Sequence, residues 1–243
     1  MGREQLPVPP CDPPPARLRL RVLGGFEFSV DGVACQLPEL VQKVVALLAL
    51  HEGVQRRERI AEQVWPDADH RHGLGNLRTV LWRVRQACPE ALRLSRGTAG
   101  LGAPVSVDLR EGQAIARAVL DGAPVDPQQA LTLLSRPLLP DWHDEWVLLE
   151  QQRVQQLHAQ CLEILSSRML AEGRTPDAMQ AAVAACRLEP LRESARQAVV
   201  DVLLAEGNRA RARQLQKEFA HHLRAELGVG DDVRLPDREP LAR

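Results

Sequence analysis

The chain has 243 residues, more than one ordinary domain needs and comfortable for two. Hydrophobic residues make up 44%, which excludes wholesale disorder, and 31 Lys plus Arg against 32 Asp plus Glu exclude a polycationic nucleic-acid coat. The near-neutral total hides an asymmetry: residues 1–102 hold 14 basic and 11 acidic groups and residues 103–243 hold 17 and 21, so the two halves are expected to meet different partners.

Residues 1–16 carry six prolines and no apolar period, the signature of a disordered tail. Leu18-Arg-Leu-Arg-Val-Leu23 alternates apolar and polar residues, Gly24-Gly25 makes a turn, and Phe26–Val30 alternates again. Asp31-Gly32 is a hairpin signal before a short third strand at Val33–Leu37. Three helices are expected next. In 39–51, Val41, Val44, Val45 and Leu48 form one stripe, and Gly53 follows. In 56–65, Ile60, Ala61, Val64 and Trp65 form a second, with Trp65 in the core and Pro66 as the stop. In 73–88, Leu77, Leu81, Val84 and Cys88 fall within about 60° on a helical wheel. Leu92-Arg-Leu-Ser-Arg-Gly and Val105-Ser-Val-Asp flank a Gly-rich turn and read as a β-hairpin. A sheet, three helices and a terminal hairpin amount to a winged helix over residues 17–108.

From Asp108 the strand signals vanish and helix formers dominate. Leu170-Ala-Glu-Gly173 recurs as Leu204-Ala-Glu-Gly207, a shift of 34 residues that also matches Ala178 with Ala212 and Gln180 with Gln214. About 34 residues is the period of a tetratricopeptide-type helix pair. The second copy departs, with Phe219 and Arg224 where the first has Ala185 and Pro190, as a terminal repeat often does. The predicted class is therefore mainly α: a winged helix-turn-helix of small antiparallel sheets plus three helices, then an all-α tetratricopeptide-like domain at 109–229. A loose tail is expected at 230–243.

The segment 73–88 carries the chemistry. Opposite its apolar stripe the wheel groups Gly75, Arg78, Thr79, Trp82, Arg83 and Gln86. From Arg71 to Arg96 six arginines (71, 78, 83, 85, 93 and 96) stand against one acid, Glu90. A solvated face ordinarily mixes signs through i,i+4 pairs, and this one does not. DNA docking asks for such a pattern: a helix fits the major groove, Arg grips guanine through two hydrogen bonds, and other arginines hold phosphates. Gly75 lets the helix start approach the backbone, and Arg96 on the hairpin reaches toward a minor groove. Trp82 either meets a thymine methyl or stacks at the interface, or else packs on the neighbouring wing, the commoner use of such an indole.

Other chemistries find no support in the residues. Gly97-Thr-Ala-Gly-Leu-Gly102 lacks G-x-G-x-x-G spacing and a P-loop lysine and reads as a turn. His70-Arg-His72, His221-His222 and His143-Asp-Glu145 lack metal-ligand spacing, and no serine sits in a nucleophile elbow. No catalytic residue, metal site or cofactor is expected. Five scattered cysteines without C-x-x-C fit a reducing compartment, and no apolar run approaches a membrane span, so the expected location is the cytoplasm.

Several segments together resemble the SARP-type bacterial activators, the antibiotic-regulatory-protein family, over about residues 18–228. They are Leu18-Arg-Leu-Arg-Val-Leu-Gly24, Val64-Trp65, the helix Asn76-Leu-Arg-Thr-Val-Leu-Trp-Arg-Val-Arg85, Pro137–Trp146, Glu189-Pro-Leu-Arg-Glu193 and Glu226-Leu-Gly228. The resemblance implies an OmpR-type winged helix joined to a tetratricopeptide-like bacterial transcriptional activation domain. It also implies an activator of secondary metabolism that binds promoter direct repeats as a dimer and contacts RNA polymerase through its sigma subunit. Transferred onto this chain, Arg78, Thr79, Trp82 and Arg83 read bases, Asn76 lies near the groove edge, Arg56, Arg71 and Arg85 hold phosphates, and Arg96 serves the wing. Trp142, Asp144, Glu145 and Trp146 are the candidate partner contact, although tryptophans at i,i+4 more often pack. The chain departs where the family wing ends in Gly-Tyr-x-Leu: it has Gly100-Leu101-Gly102 and no tyrosine. The second helix also lacks a Ser or Asp cap, and no nucleotide-binding domain follows, which implies a stand-alone member. A helical-repeat adaptor whose winged helix no longer binds DNA is the competing expectation.

Overall fold

The computed structural model describes residues 17–227, so the expected tails at 1–16 and 230–243 lie outside the described residues. The described residues divide into two compact units, one of residues 17–20 and Glu27–Val107, the other of Arg21–Phe26 and residues 108–227. The winged-helix expectation of 17–108 kept 21–26 in the first unit; the structure groups that segment with the second.

In the first unit a four-stranded sheet runs in the order β3-β2-β1-β7, with β1 at Leu18–Arg21, β2 at Glu27–Val30, β3 at Val33–Cys35 and β7 at Val105–Val107. Leu18 and Leu20 are buried while Arg19 points out, the period-2 alternation of a strand with one face on a core. Asp31 (φ 50°) and Gly32 (φ 79°) both sit in the left-handed region and join Val30 to Val33, as a type I′ hairpin requires.

The second sheet corrects the predicted hairpin. Its order is β4-β6-β5, with β4 at Val54–Arg56, β5 at Leu92–Ser95 and β6 at Thr98–Leu101, and β5 and β6 turn at Arg96-Gly97. The Gly-rich stretch is thus strand, and Val105–Val107 pairs in parallel with β1 instead. Gly97 (φ 83°) makes the β5–β6 turn, whereas Gly100 and Gly102 mark close backbone approach. A Cβ on Gly100 would lie 2.6 Å from the Gly53 carbonyl oxygen, and one on Gly102 would lie 1.9 Å from that of Glu90.

Three helices complete this unit: α1 at Glu39–Leu50, α2 at Arg57–Val64 and α3 at His70–Ala87. α1 is buried along its whole second half, wider than the single stripe expected. α2 starts one residue later than predicted because Val54–Arg56 pairs with β6. Its missing side-chain cap is replaced by the wing: the Arg57 backbone N–H donates to the Gly97 carbonyl (3.0 Å) and its guanidinium to the carbonyls of Ser95 (3.2 Å) and Thr98 (3.4 Å). Trp65, expected in the core, is half-buried and serves as the α2 C-cap, its N–H bonded to the Ala61 carbonyl. α3 begins three residues before the predicted 73, since the Asp69 carboxylate caps it by accepting from the His72 N–H (2.9 Å). Gly73 is buried there, facing α2, where a Cβ would stand 3.5 Å from that of Ala61, at ordinary van der Waals contact.

The second unit holds α4 (Asp108–Leu120), α5 (Pro127–Leu134), α6 (Glu145–Ala171), α7 (Thr175–Leu188), α8 (Glu193–Ala205) and α9 (Arg209–Leu227). Small residues let these helices pack closely: Ala178, Ala181, Ala182, Ala184 and Ala185 of α7 are all buried. The sequence repeat is a backbone repeat. Glu172, Gly173 and Arg174 N–H groups bond the carbonyls of Arg168, Leu170 and Met169, and Glu206, Gly207 and Asn208 bond those of Val202, Leu204 and Leu203, the same pattern 34 positions on. Gly173 (φ 76°) and Gly207 (φ 78°) supply the left-handed turn each time. The segment 21–26 joins this unit through backbone: Leu23 bridges Leu138, Gly24 N–H donates to the Pro137 carbonyl (2.7 Å) and Leu139 N–H to that of Val22 (2.9 Å). Two of the segments singled out in the sequence therefore meet each other.

Candidate nucleic-acid interface

α3 divides cleanly into two faces. Gly73, Leu77, Val80, Leu81 and Val84 are buried, while Arg71, Gly75, Asn76, Arg78, Thr79, Trp82, Arg83, Arg85 and Gln86 are exposed. Val80 joins the apolar stripe, and Cys88 is the half-buried C-cap. None of Arg71, Arg78, Arg83, Arg85, Arg93 and Arg96 forms an ion pair among the described residues. The one acid of that stretch, Glu90, is held instead by Arg17, whose Nη1 lies 2.9 Å from its Oε1. The positive field of the face is thereby left uncompensated from within the stretch.

The remaining side chains have definite settings. Trp82 is 60% exposed, more open than the commoner use of such an indole, packed on the wing, would leave it. Thr79 donates its hydroxyl to the Gly75 carbonyl (3.1 Å), which fixes its rotamer and leaves its oxygen lone pairs and methyl outward. No atom lies within 4 Å of where a Gly75 Cβ would stand, so the backbone there is open to a partner. At the helix start, Asp69 also lies 2.6 Å from His72 Nδ1, and its bonds to His72 hold its carboxyl below the usual range. Arg56 is exposed at the end of β4, and Arg96 is exposed at the tip of the wing, which is braced by the Arg57 bonds and a short Ser95–Thr98 hydroxyl pair. A wing thus forms without the family's tyrosine. Arg57 carries no regular pattern around it in the sequence, and only the fold reveals its bracing role.

The candidate partner patch needs correction. Trp146 is only 8% exposed, and the ring of Trp142 stacks on Phe26 (centroids 5.9 Å apart) and meets Trp146 edge-on at 6.3 Å. Gln151 donates to the Leu139 (2.7 Å) and Trp142 (3.2 Å) carbonyls. The two tryptophans are packing residues that seat the 21–26 segment. Asp144 is half-buried beside the α6 start, and of the four only Glu145 is exposed.

A winged helix followed by an all-α unit of repeated helix pairs is the class that this fold defines. The pattern of the bacterial transcriptional activator domain matches residues 105–238, and the chain belongs to that family of transcription regulators. Among solved structures, Mycobacterium tuberculosis EmbR in complex with a low affinity phosphopeptide superposes with a TM-score of 0.59 at 17% identity, over 89% of this chain. The chain spans 62% of that protein's length, and at this identity the likeness is one of fold. No curated protein matches. Among the described residues no helix is long and apolar enough to cross a membrane, and no cluster of three metal-ligating side chains occurs.

Proposed function

We propose that the chain is a sequence-specific DNA-binding activator whose α3 enters the major groove. Arg78, Thr79, Trp82 and Arg83 face the bases, and Asn76 lies at the groove edge. Arg56, Arg71 and Arg85 hold phosphates, and Arg96 serves the wing over the adjacent minor groove. Two copies on direct repeats bring the helical half to RNA polymerase, its sigma subunit foremost. The observation that carries this reading is the exposed, unpaired arginine face of α3 beside a fully buried apolar seam. An adaptor with a vestigial winged helix has no use for such a face, and the formed wing supports the DNA-binding reading, while the near-neutral total charge is the feature on the adaptor's side.

The test is a binding titration on DNA flanking the chain's own gene, with Arg83→Ala beside the parent. Loss of a two-bond base contact weakens specific binding by about 1–3 kcal/mol and relaxes preference at one base. Arg71→Ala instead weakens all duplexes alike and lowers the salt slope by about one. Equal affinity of the parent for random and flanking DNA refutes the base-reading role.

A further inference from the structure

α7, α8 and α9 enclose an open groove of about 380 Å³ in the second unit, and no assigned role uses it. Its floor is apolar: Met179 and Val183 of α7, Val199 and Leu203 of α8, Leu215 of α9. Three arginines line it, Arg187, Arg196 and Arg211, with no acidic residue among the lining. That concentration of positive charge lies in the half of the chain where 21 acids outnumber 17 bases.

The three cations are poorly neutralised. Arg187 is exposed and forms no ion pair among the described residues. Arg196 lies over the Phe219 ring, 5.2 Å from guanidinium carbon to centroid, and its Nε is buried with no hydrogen-bond partner. Phe219 stands where the preceding repeat has Ala185, so the departure from the repeat is what seats this arginine. Arg211 reaches Glu218 at 3.6 Å, but both groups are about half exposed and Glu218 also accepts from Gln214 (2.8 Å). α9 further opens with Arg209, Arg211 and Arg213 and no acid in its first turn, although the positive end of a helix favours acids.

An apolar floor rimmed by under-neutralised guanidinium groups is complementary to one chemistry, a chain that offers aliphatic side chains and carboxylates together. Nucleic acid brings the anions without the aliphatic groups. Met179, a flexible thioether, adapts the floor to such side chains. We propose that the α7–α8–α9 groove binds an acidic amphipathic segment of a partner protein, its aliphatic face on the floor and its carboxylates on Arg187, Arg196 and Arg211. The inference is independent of DNA reading by α3.

The experiment is fluorescence anisotropy on the full chain with a labelled synthetic helical peptide of about four turns, leucines along one face and glutamates flanking them. The control peptide carries lysine for every glutamate. The acidic peptide binds saturably and more weakly as salt rises, and the lysine peptide does not bind. Arg187→Gln and Arg211→Gln each weaken binding about tenfold, the loss of one charge-assisted contact, with thermal melts and promoter-fragment binding unchanged. Equal binding of both peptides overturns the proposal, as does absence of saturable binding or an unchanged Kd in the two variants. Sedimentation showing a dimer that the same variants dissociate also overturns it, since the occupant is then a second copy of the chain.

Discussion

Asp108 shows how much a single side chain can organise. It is 1% exposed, and its two carboxylate oxygens accept N–H bonds from Val22 (2.9 Å) and Leu23 (3.1 Å), more than eighty positions earlier in the chain. Burial raises its pKa and outweighs the backbone bonds, which pull the other way. Asp108→Asn keeps the shape but offers one acceptor and turns an NH₂ group toward the second donor, which leaves a buried N–H unpaired. The expected cost is about 1–3 kcal/mol, read as a lower urea midpoint at an unchanged slope. Nothing near Asp108 in the sequence announces this role; the residue reads there as an ordinary helix start, and its partners lie beyond any local pattern. The alternation of Leu18 and Leu20, by contrast, and the Asp31-Gly32 turn are properties of neighbouring residues and were legible directly.

At the scale of elements, glycine separates what patterning sees from what packing decides. Gly75 and Gly102 look alike in the sequence, but the first stands in open space on α3 and the second is pressed against the Glu90 carbonyl. Gly75→Ala removes the helix penalty of glycine and stabilises the chain by about 0.5–1 kcal/mol, while the added methyl obstructs a close backbone approach and lowers affinity for promoter DNA. Gly102→Ala forces the backbone apart and destabilises by about 1–3 kcal/mol or more. Paired melts and titrations check both, and a Gly75→Ala variant that binds DNA as the parent does removes that residue from the interface. The same contrast explains the misread hairpin. A run of glycines looks like a turn until the strand on its far side is known, and β4, three residues without alternation, gives no warning that it is there. α3 itself was legible because its apolar period and its arginine face are both local, whereas its true start depended on the cap at Asp69. The partner patch failed for the opposite reason: Trp142 and Trp146 stand out in composition, but whether an indole faces water or Phe26 is settled by distant chain.

For the whole molecule, the stability of the second unit is tied to pH through His158. The ring is 1% exposed between α6 and Gly112 of α4, and neither nitrogen has a well-formed hydrogen bond among the described residues. Burial lowers its pKa to about 4, with the Leu134 backbone opposing weakly. Its folded pKa lies below the unfolded value of 6.5, so the unfolded chain binds the proton first. This contribution is present above the unfolded pKa and is lost as pH falls toward the folded one. Between about pH 7 and pH 5 the loss amounts to about 2 kcal/mol. Urea midpoints at the two pH values measure it, and His158→Leu is expected to flatten the difference. Fold class, the two-part organisation and the 34-residue repeat were all legible at this scale, because strand alternation, helical periodicity and a tetrapeptide recurring once at a fixed shift are each written in neighbouring residues. The membership of Arg21–Phe26 was not, since six residues decide it through backbone bonds to Pro137–Leu139. The helical unit consequently cannot be excised as one uninterrupted stretch: scissors applied at any single peptide bond between Phe26 and Asp108 leave one of its threads behind on the other piece.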